Sequence, residues 1–199
     1  YDEVTREVDY DSNAITENTR AAYPLEYIEN TQLPSLAGHP SNIIFLTCDA
    51  SGVLPPISRL TPEQAMYQFL SGYTARVAGT EMGVLQPQLA FSPCYSAAFL
   101  VRHPVVYARL LSEKIQLHRA QAWLVNTGWT GGGIGLGKRI DLASTRCIID
   151  AIHGESLQDM PTDRDSVFGL EAVCRVPGVS DRMLVPRNAW SDASAWEDA

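Results

Sequence analysis

The stretch Asn126-Thr127-Gly128-Trp129-Thr130-Gly131-Gly132-Gly133-Ile134-Gly135-Leu136-Gly137-Lys138-Arg139 is where this sequence comes nearest to displaying chemistry. Six glycines fall within the ten residues 128–137, and two cations follow them. Glycine leaves backbone N–H groups free of Cβ crowding, so such a loop can cradle an anion or a nucleotide. The plainer alternative is a flexible connector between a strand and a helix. Gly132 to Lys138 even spells G-x-x-x-x-G-K, but Arg139 follows where a phosphate loop needs Ser or Thr to hold magnesium. Arg139 is too large and too cationic for that part.

Two other positions could meet a ligand. Arg20 ends the polar run Thr16-Glu17-Asn18-Thr19-Arg20, and a guanidinium forks well onto phosphate. Without such a ligand it is a surface arginine in a polar loop. Asp49 follows an apolar run, and ligands in open α/β sheets gather beyond the carboxyl ends of strands. The alternative for Asp49 is a loop or helix cap.

The elements that must carry these residues are legible in part. Ile43–Thr47 reads as a buried strand, and Ala122–Asn126 as a second. Thr61, Pro62 and Gln64 spell a capping box with proline at the first helical position. Ala65, Met66, Phe69, Leu70 and Tyr73 continue that helix at helical spacing, with Gly79 as its stop. Two glycines and two prolines between Gly79 and Pro93 predict a long irregular loop, such as a lid. A second helix is expected over Pro104–Gln116, turning Val106, Leu110, Leu111 and Ile115 inward. A third spans Leu142–His153, capped by Asp141, burying Ile148, Ile149 and Ile152 and closing on Gly154. Tyr23–Ile28 reads as a short extended segment within a polar, irregular first forty residues. Beyond Asp159 the text is turn-rich and weakly strand-like to Arg187, and Trp190–Ala199 reads as frayed. Strands interleaved with helices make the fold class α/β.

Composition bounds the function. Of 199 residues, 45% are hydrophobic and 19% charged, which suffices for a core. A net charge of −8 disfavours nucleic acid and anionic membrane surfaces, while leaving room for a locally bound small anion. No apolar run approaches the roughly 20 residues needed to span a bilayer. The start, Tyr1-Asp2-Glu3-Val4, has neither a secretory signal nor an initiator Met, so the reading frame is expected to begin upstream or to be processed. Cys48, Cys94, Cys147 and Cys174 make no C-x-x-C, and His39, His103, His118 and His153 are scattered, so buried thiols and no metal site are expected from this chain.

Longer words then become recognisable. TENTRAAYP (Thr16–Pro24), NIIFLTCDASGVLPPISRL (Asn42–Leu60), FLSGYTARVAGT (Phe69–Thr80) and VNTGW (Val125–Trp129) resemble ATP-dependent phosphoenolpyruvate carboxykinase. GKRI (Gly137–Ile140), TRCIIDAI (Thr145–Ile152), Val176–Val179 and Leu184–Asn188 continue the resemblance over nearly all of the chain. It implies that residues 1–199 form an incomplete mixed-sheet, carboxy-terminal nucleotide-binding domain of that type. It implies a reaction of oxaloacetate with ATP giving phosphoenolpyruvate, carbon dioxide and ADP, assisted by Mg2+ and Mn2+, in the cytoplasm. By motif, Arg20 corresponds to the arginine on the transferring phosphoryl group. Arg139, Ile140 and Thr145 correspond to the adenine and ribose wall, and Gly79–Pro93 to a mobile lid.

The resemblance also implies that the family's phosphate loop, its metal-binding Lys, His and Asp and its oxaloacetate-binding Arg lie upstream of Tyr1. The expected partners are therefore nucleotide, oxaloacetate and the missing amino-terminal part, on the same or a partner chain. Alone, the chain is expected to be inactive. The competing readings are a structural or interaction subunit that kept the fold without the chemistry, and a module that holds ATP without turnover.

Overall fold

The computed structural model describes residues 1–9, 12, 14, 21–76, 84 and 87–199. Its strands are β1 (Asn42–Thr47), β2 (Ile57–Leu60), β3 (Tyr73–Arg76), β4 (Gln88–Phe91), β5 (Gln121–Asn126), β6 (Trp129–Thr130), β7 (Lys138–Arg139), β8 (Thr162–Arg164) and β9 (Glu171–Val173). Its helices are α1 (Pro62–Ser71), α2 (Pro104–His118), α3 (Leu142–His153), α4 (Asp181–Leu184), α5 (Pro186–Ala189) and α6 (Ala193–Glu197). The chain divides into two compact units, 1–38 with 76–88 and 39–75 with 89–199. In the first, Leu25–Tyr27 forms a 3-10 turn where an extended segment was expected, because Tyr27 and Ile28 donate back to Pro24 and Leu25.

The second unit is organised by β5. Its residues Ala122 to Asn126 are all buried, and successive side chains point to opposite faces. Trp123 and Val125 join Ile57, Ile148, Ile152, Leu157, Val173 and Leu184 on one side. Ala122 and Leu124 join Phe45, Leu60, Ala65, Ile115 and Trp196 on the other. Two apolar faces are what a strand covered by helices on both sides requires. Each fully buried large side chain contributes about 1.5–3 kcal/mol relative to exposure.

The main sheet runs β1-β5-β2-β9-β8. β1 and β5 are parallel, with Asn42 opposite Gln121 and Thr47 opposite Asn126. The pairs β2–β5, β2–β9 and β8–β9 are antiparallel, so the sheet is mixed, as the family resemblance implies. A parallel pair needs a long crossover, which α1, the β3–β4 ribbon and α2 provide.

α1 starts as its sequence dictates. Thr61 Oγ1 accepts from the Gln64 N–H at 3.2 Å, and Gln64 Oε1 accepts from the Thr61 N–H at 3.0 Å. It stops sooner than expected. Gly72 takes the left-handed cap with φ +52, and a Cβ there would lie 1.8 Å from the carbonyl oxygen of Ser92. Gly79 falls outside the described residues. The expected irregular loop is also partly regular, since β4 and a 3-10 turn at Pro93–Tyr95 occupy its end.

On α2 the buried positions are Ala108 and Ile115, with Leu111 packed beside them. Val106 and Leu110 are exposed, against expectation, because the 108–111–115 row faces α1 and the sheet. α3 begins under Asp141, whose carboxylate accepts from Ser144 N–H at 2.7 Å, and buries Ile148 and Ile152. The final residues are held in place rather than frayed. Trp196 is buried and its Nε1 donates to the Val53 carbonyl at 3.2 Å, while Trp190 Nε1 donates to the Gly52 carbonyl at 2.8 Å.

Candidate functional site

β1 and β5 end side by side, and their carboxyl ends release two loops, 48–56 and 127–137. This is where an α/β sheet places ligands. Asn126, fully buried at the end of an apolar strand, joins them. Its Oδ1 accepts from the Asp49 N–H at 3.0 Å and the Gly128 N–H at 2.8 Å, and its Nδ2 donates to the Leu54 carbonyl at 3.1 Å. Such satisfaction is what a buried amide needs. Sequence reasoning placed Asn126 only at a strand end. The signal for more was a polar side chain closing an otherwise apolar run.

Asp49 is equally buried. Oδ1 accepts from Ser51 N–H at 2.9 Å and from the Tyr73 hydroxyl at 3.0 Å; Oδ2 accepts from Val53 at 2.7 Å and Leu54 at 2.9 Å. Of its two sequence readings, the loop cap describes the side chain. Its carboxylate is spent on organising the loop, with no lone pair set aside for a ligand in this arrangement. Burial and the Asp49 charge push the Tyr73 hydroxyl well above the usual phenol range.

The glycine loop is a hairpin. β6 pairs with β7 in the register Trp129–Arg139 and Thr130–Lys138. Several of its amides are committed: Trp129 N–H to Asp49 O at 2.7 Å, Ile134 to Ala50 O at 3.1 Å, and Leu136 and Gly137 both to Gly133 O at 3.0 and 2.8 Å. With Ile134, Leu136 and Gly137 bonded within or beside the hairpin, these N–H groups are not turned outward toward an anion. The glycines serve close approach instead. A Cβ at Gly128 would lie 2.1 Å from the Asp49 carbonyl oxygen, so only glycine lets the two loops meet there.

Arg139 emerges exposed on the Trp129 face of this hairpin. Its guanidinium lies 5.8 Å from the Trp129 ring centroid, and Nε donates to the Thr127 carbonyl at 3.2 Å. Its terminal nitrogens make no hydrogen bond among the described residues. Burial raises the nearby Cys48 thiol, and the Arg139 charge works against that rise. Ile140 is buried, its N–H bonded to the Gly128 carbonyl at 2.7 Å. Thr145 is half-buried in the first turn of α3, its hydroxyl donating to the Asp141 carbonyl at 3.1 Å.

A cleft of about 270 Å³ opens on the other side of Asp49, lined by Ser51, Tyr67, Gln68, Tyr73, Phe91 and Phe168 among others. Arg139, Ile140 and Thr145 do not line it. Arg20 and residues 79–83 and 85–86 of the expected lid lie outside the described residues. Among the described residues, no three His, Cys, Asp or Glu side chains are grouped as metal ligands.

The phosphoenolpyruvate carboxykinase family's model matches residues 1–182. A Salinibacter ruber protein named phosphoenolpyruvate carboxykinase (ATP) 2 is 58% identical over 198 residues, 100% of this chain and 37% of that relative. Phosphoenolpyruvate carboxykinase (ATP) of Dictyostelium discoideum is 55% identical, covering 96% of this chain and 34% of its own length. Phosphoenolpyruvate carboxykinase (ATP) 1 of Arabidopsis thaliana is 52% identical, covering 100% and 30%. The chain thus spans about a third of the length of the curated relatives it matches. With a family match over most of its residues and likeness to these relatives along nearly all of its own length, it belongs to the ATP-dependent phosphoenolpyruvate carboxykinase family.

Proposed function

We propose that this chain supplies the base side of the nucleotide site, one phosphoryl-contacting arginine and the lid of an ATP-dependent phosphoenolpyruvate carboxykinase. The supporting observation is 58% identity across the whole chain, with Arg139, Ile140 and Thr145 clustered in sequence where β7 passes into α3. The exposed Arg139 guanidinium, stacked near Trp129 with its terminal nitrogens uncommitted, suits the flat face and acceptor edge of a purine. The committed amides of the hairpin argue that the phosphates of ATP sit elsewhere.

In the reaction, the carbon–carbon bond to the leaving carboxylate of oxaloacetate breaks and carbon dioxide departs. The electron pair stays behind as an enolate. The enolate oxygen attacks the γ-phosphorus of ATP, and the bond to ADP breaks. Arg20 stabilises the charge that spreads over the phosphoryl oxygens, which is the main service a protein renders to such a transfer. Closure of residues 79–93 excludes water, which would otherwise protonate the enolate and give pyruvate.

The Mg2+ and Mn2+ that the family resemblance implies do not fit this chain's own described residues, which group no ligand set. We place their ligands, the phosphate loop and the oxaloacetate-binding arginine in the portion of the relatives that this chain does not span, and the whole enzyme in the cytoplasm. The edge of β1 away from β5 has no strand neighbour among the described residues, and Leu46 on that strand is 55% exposed. An uncovered strand edge with apolar exposure suits packing by that further portion.

The same lack of grouped metal ligands favours a second reading, a structural subunit without turnover. The test is ATP-dependent conversion of oxaloacetate by the chain alone and by the chain joined to the complementary two-thirds of the Salinibacter ruber relative. The enzyme reading expects turnover only in the joined protein. No turnover in either, with the joined protein folded, leaves the structural subunit.

A further inference from the structure

The two faces of the β6–β7 hairpin carry different side chains. Cross-strand partners share a face, and successive residues alternate. Trp129 and Arg139 therefore occupy one face, the one assigned above to the base. Thr130 and Lys138 occupy the other. That second face borders a groove of about 580 Å³, closed opposite by Ser180, Arg182 and Met183.

The chemistry of this groove is one-sided. Lys138 and Arg182 both line it and no carboxylate does. Neither cation forms an ion pair among the described residues: the neighbouring Asp181 lies toward Arg175, at 4.0 Å. Arg182 Nε donates to the Asn188 carbonyl at 2.8 Å, which fixes the guanidinium while leaving its terminal nitrogens uncommitted among the described residues. The Ser180 hydroxyl caps nothing. Thr130 adds an independent observation. It borders the groove, yet its Oγ1 is buried with no hydrogen-bond partner. Rotation about χ1 by one staggered well carries that hydroxyl to another side of Cβ, and an acceptor in the groove would reward a rotamer that reaches it. In a chain of net charge −8, uncommitted donors converging on one groove are unexpected unless something anionic visits it.

The geometry points to an anion site between Lys138 and Arg182, on the face of the hairpin opposite Arg139, that takes a tetrahedral oxyanion, either free phosphate or the phosphoryl group of a small monoester. Lys138 supplies a point charge, Arg182 a fork of donors, and Ser180 and Thr130 neutral hydroxyls. The site is independent of the base-side assignment, because it shares no side chain with it.

The experiment is a thermal-unfolding and calorimetric titration of the full 199-residue chain with inorganic phosphate, glycerol 3-phosphate and acetate. Saturable stabilisation by phosphate or glycerol 3-phosphate is expected, with acetate much weaker; which of the two binds better identifies the source. Lys138→Gln combined with Arg182→Gln weakens that binding by about tenfold or more, and Thr130→Val by about threefold. Both charged side chains are exposed, so circular dichroism of the variants should match the parent. Arg139→Gln leaves the phosphate isotherm unchanged. The proposal is overturned if stabilisation is not saturable, if the Lys138/Arg182 double variant binds as well as the parent, or if Arg139→Gln is the substitution that abolishes binding.

Discussion

The Tyr73 hydroxyl donates to Oδ1 of Asp49 at 3.0 Å, tying the first residue of β3 to the loop that follows β1. Asp49 is thereby held by three backbone N–H groups and one phenol in a site closed to solvent. Replacing it with Asn puts an NH2 where an acceptor is needed and strands at least one buried donor. Asp49→Asn should cost about 2–4 kcal/mol. Urea unfolding checks this, and a midpoint unchanged from the parent would refute the role of Asp49 as the loop's organiser.

Tyr73 gives the same network a pH signature. Burial first, then the Asp49 charge, raises its folded pKa above the unfolded phenol value near 10. The folded state therefore keeps a proton that the unfolded state releases. The stabilisation is whole below about pH 10 and is lost as pH rises beyond it toward the folded pKa. Tyr73→Phe should cost about 1–2 kcal/mol at pH 7 and flatten the decline above pH 10 relative to the parent. Stability–pH curves that run parallel for parent and variant would contradict this.

His39 and His118 supply a signature at the acid end. Their rings stack with centroids 3.4 Å apart and planes 19° from parallel. Loss of hydration, then the neighbouring His39 and Lys114, lowers the folded pKa of His118. The unfolded chain takes up that proton first, so stability present above about pH 6.5 is lost as pH falls through the folded value. In a proton-resolved NMR titration, His118 should titrate below an ordinary histidine, and His39→Ala should move it upward. A titration indifferent to His39→Ala would dissociate the pair.

The hairpin offers a contrast between glycines. Gly128→Ala forces a Cβ to within 2.1 Å of the Asp49 carbonyl oxygen and should cost about 3 kcal/mol or more, or separate the loops. Gly135 also lies in the loop but has φ +86 and nothing within 4 Å, so Gly135→Ala should cost about 1 kcal/mol from backbone strain alone. Equal losses for the two would show that close approach of the loops is not the reason for Gly128.

What the sequence disclosed, it disclosed through local chemistry. The capping box at Thr61 and Gln64, the Asp141 cap and the apolar runs of β1 and β5 act within a few residues of themselves, and each element forms there. β2 was invisible because Ile57-Ser58-Arg59-Leu60 is too short to show a period. It is a strand only because β5 and β9 pair with it on both sides. The true stop of α1 at Gly72 depends on the approach of Ser92, twenty residues on. Trp196 looked like part of an acidic tail until Val53, 143 residues earlier, proved to accept its indole N–H. At the site, Arg139 and the glycines were legible by type, whereas their use as a loop-to-loop contact was not. That use needs Asp49 and Asn126 to be adjacent, which parallel pairing of distant strands alone decides.

Trp196 gives a direct check of that last packing claim. Trp196→Ala removes a buried indole from the Phe45–Leu124 side of the core and should destabilise by about 3–5 kcal/mol. A loss under about 1 kcal/mol would mean that the end of the chain does not pack as described.

The proposed part in phosphoryl transfer turns on Arg20. The decisive measurement is steady-state kinetics of Arg20→Ala in the joined enzyme described above. If Arg20 has the proposed role, its contact strengthens as charge develops on the phosphoryl group, and kcat should fall by about a hundredfold or more while the KM for ATP moves only a few-fold. An Arg20→Ala enzyme with the parent's kcat would contradict the assignment of this chain to the phosphoryl-transfer site.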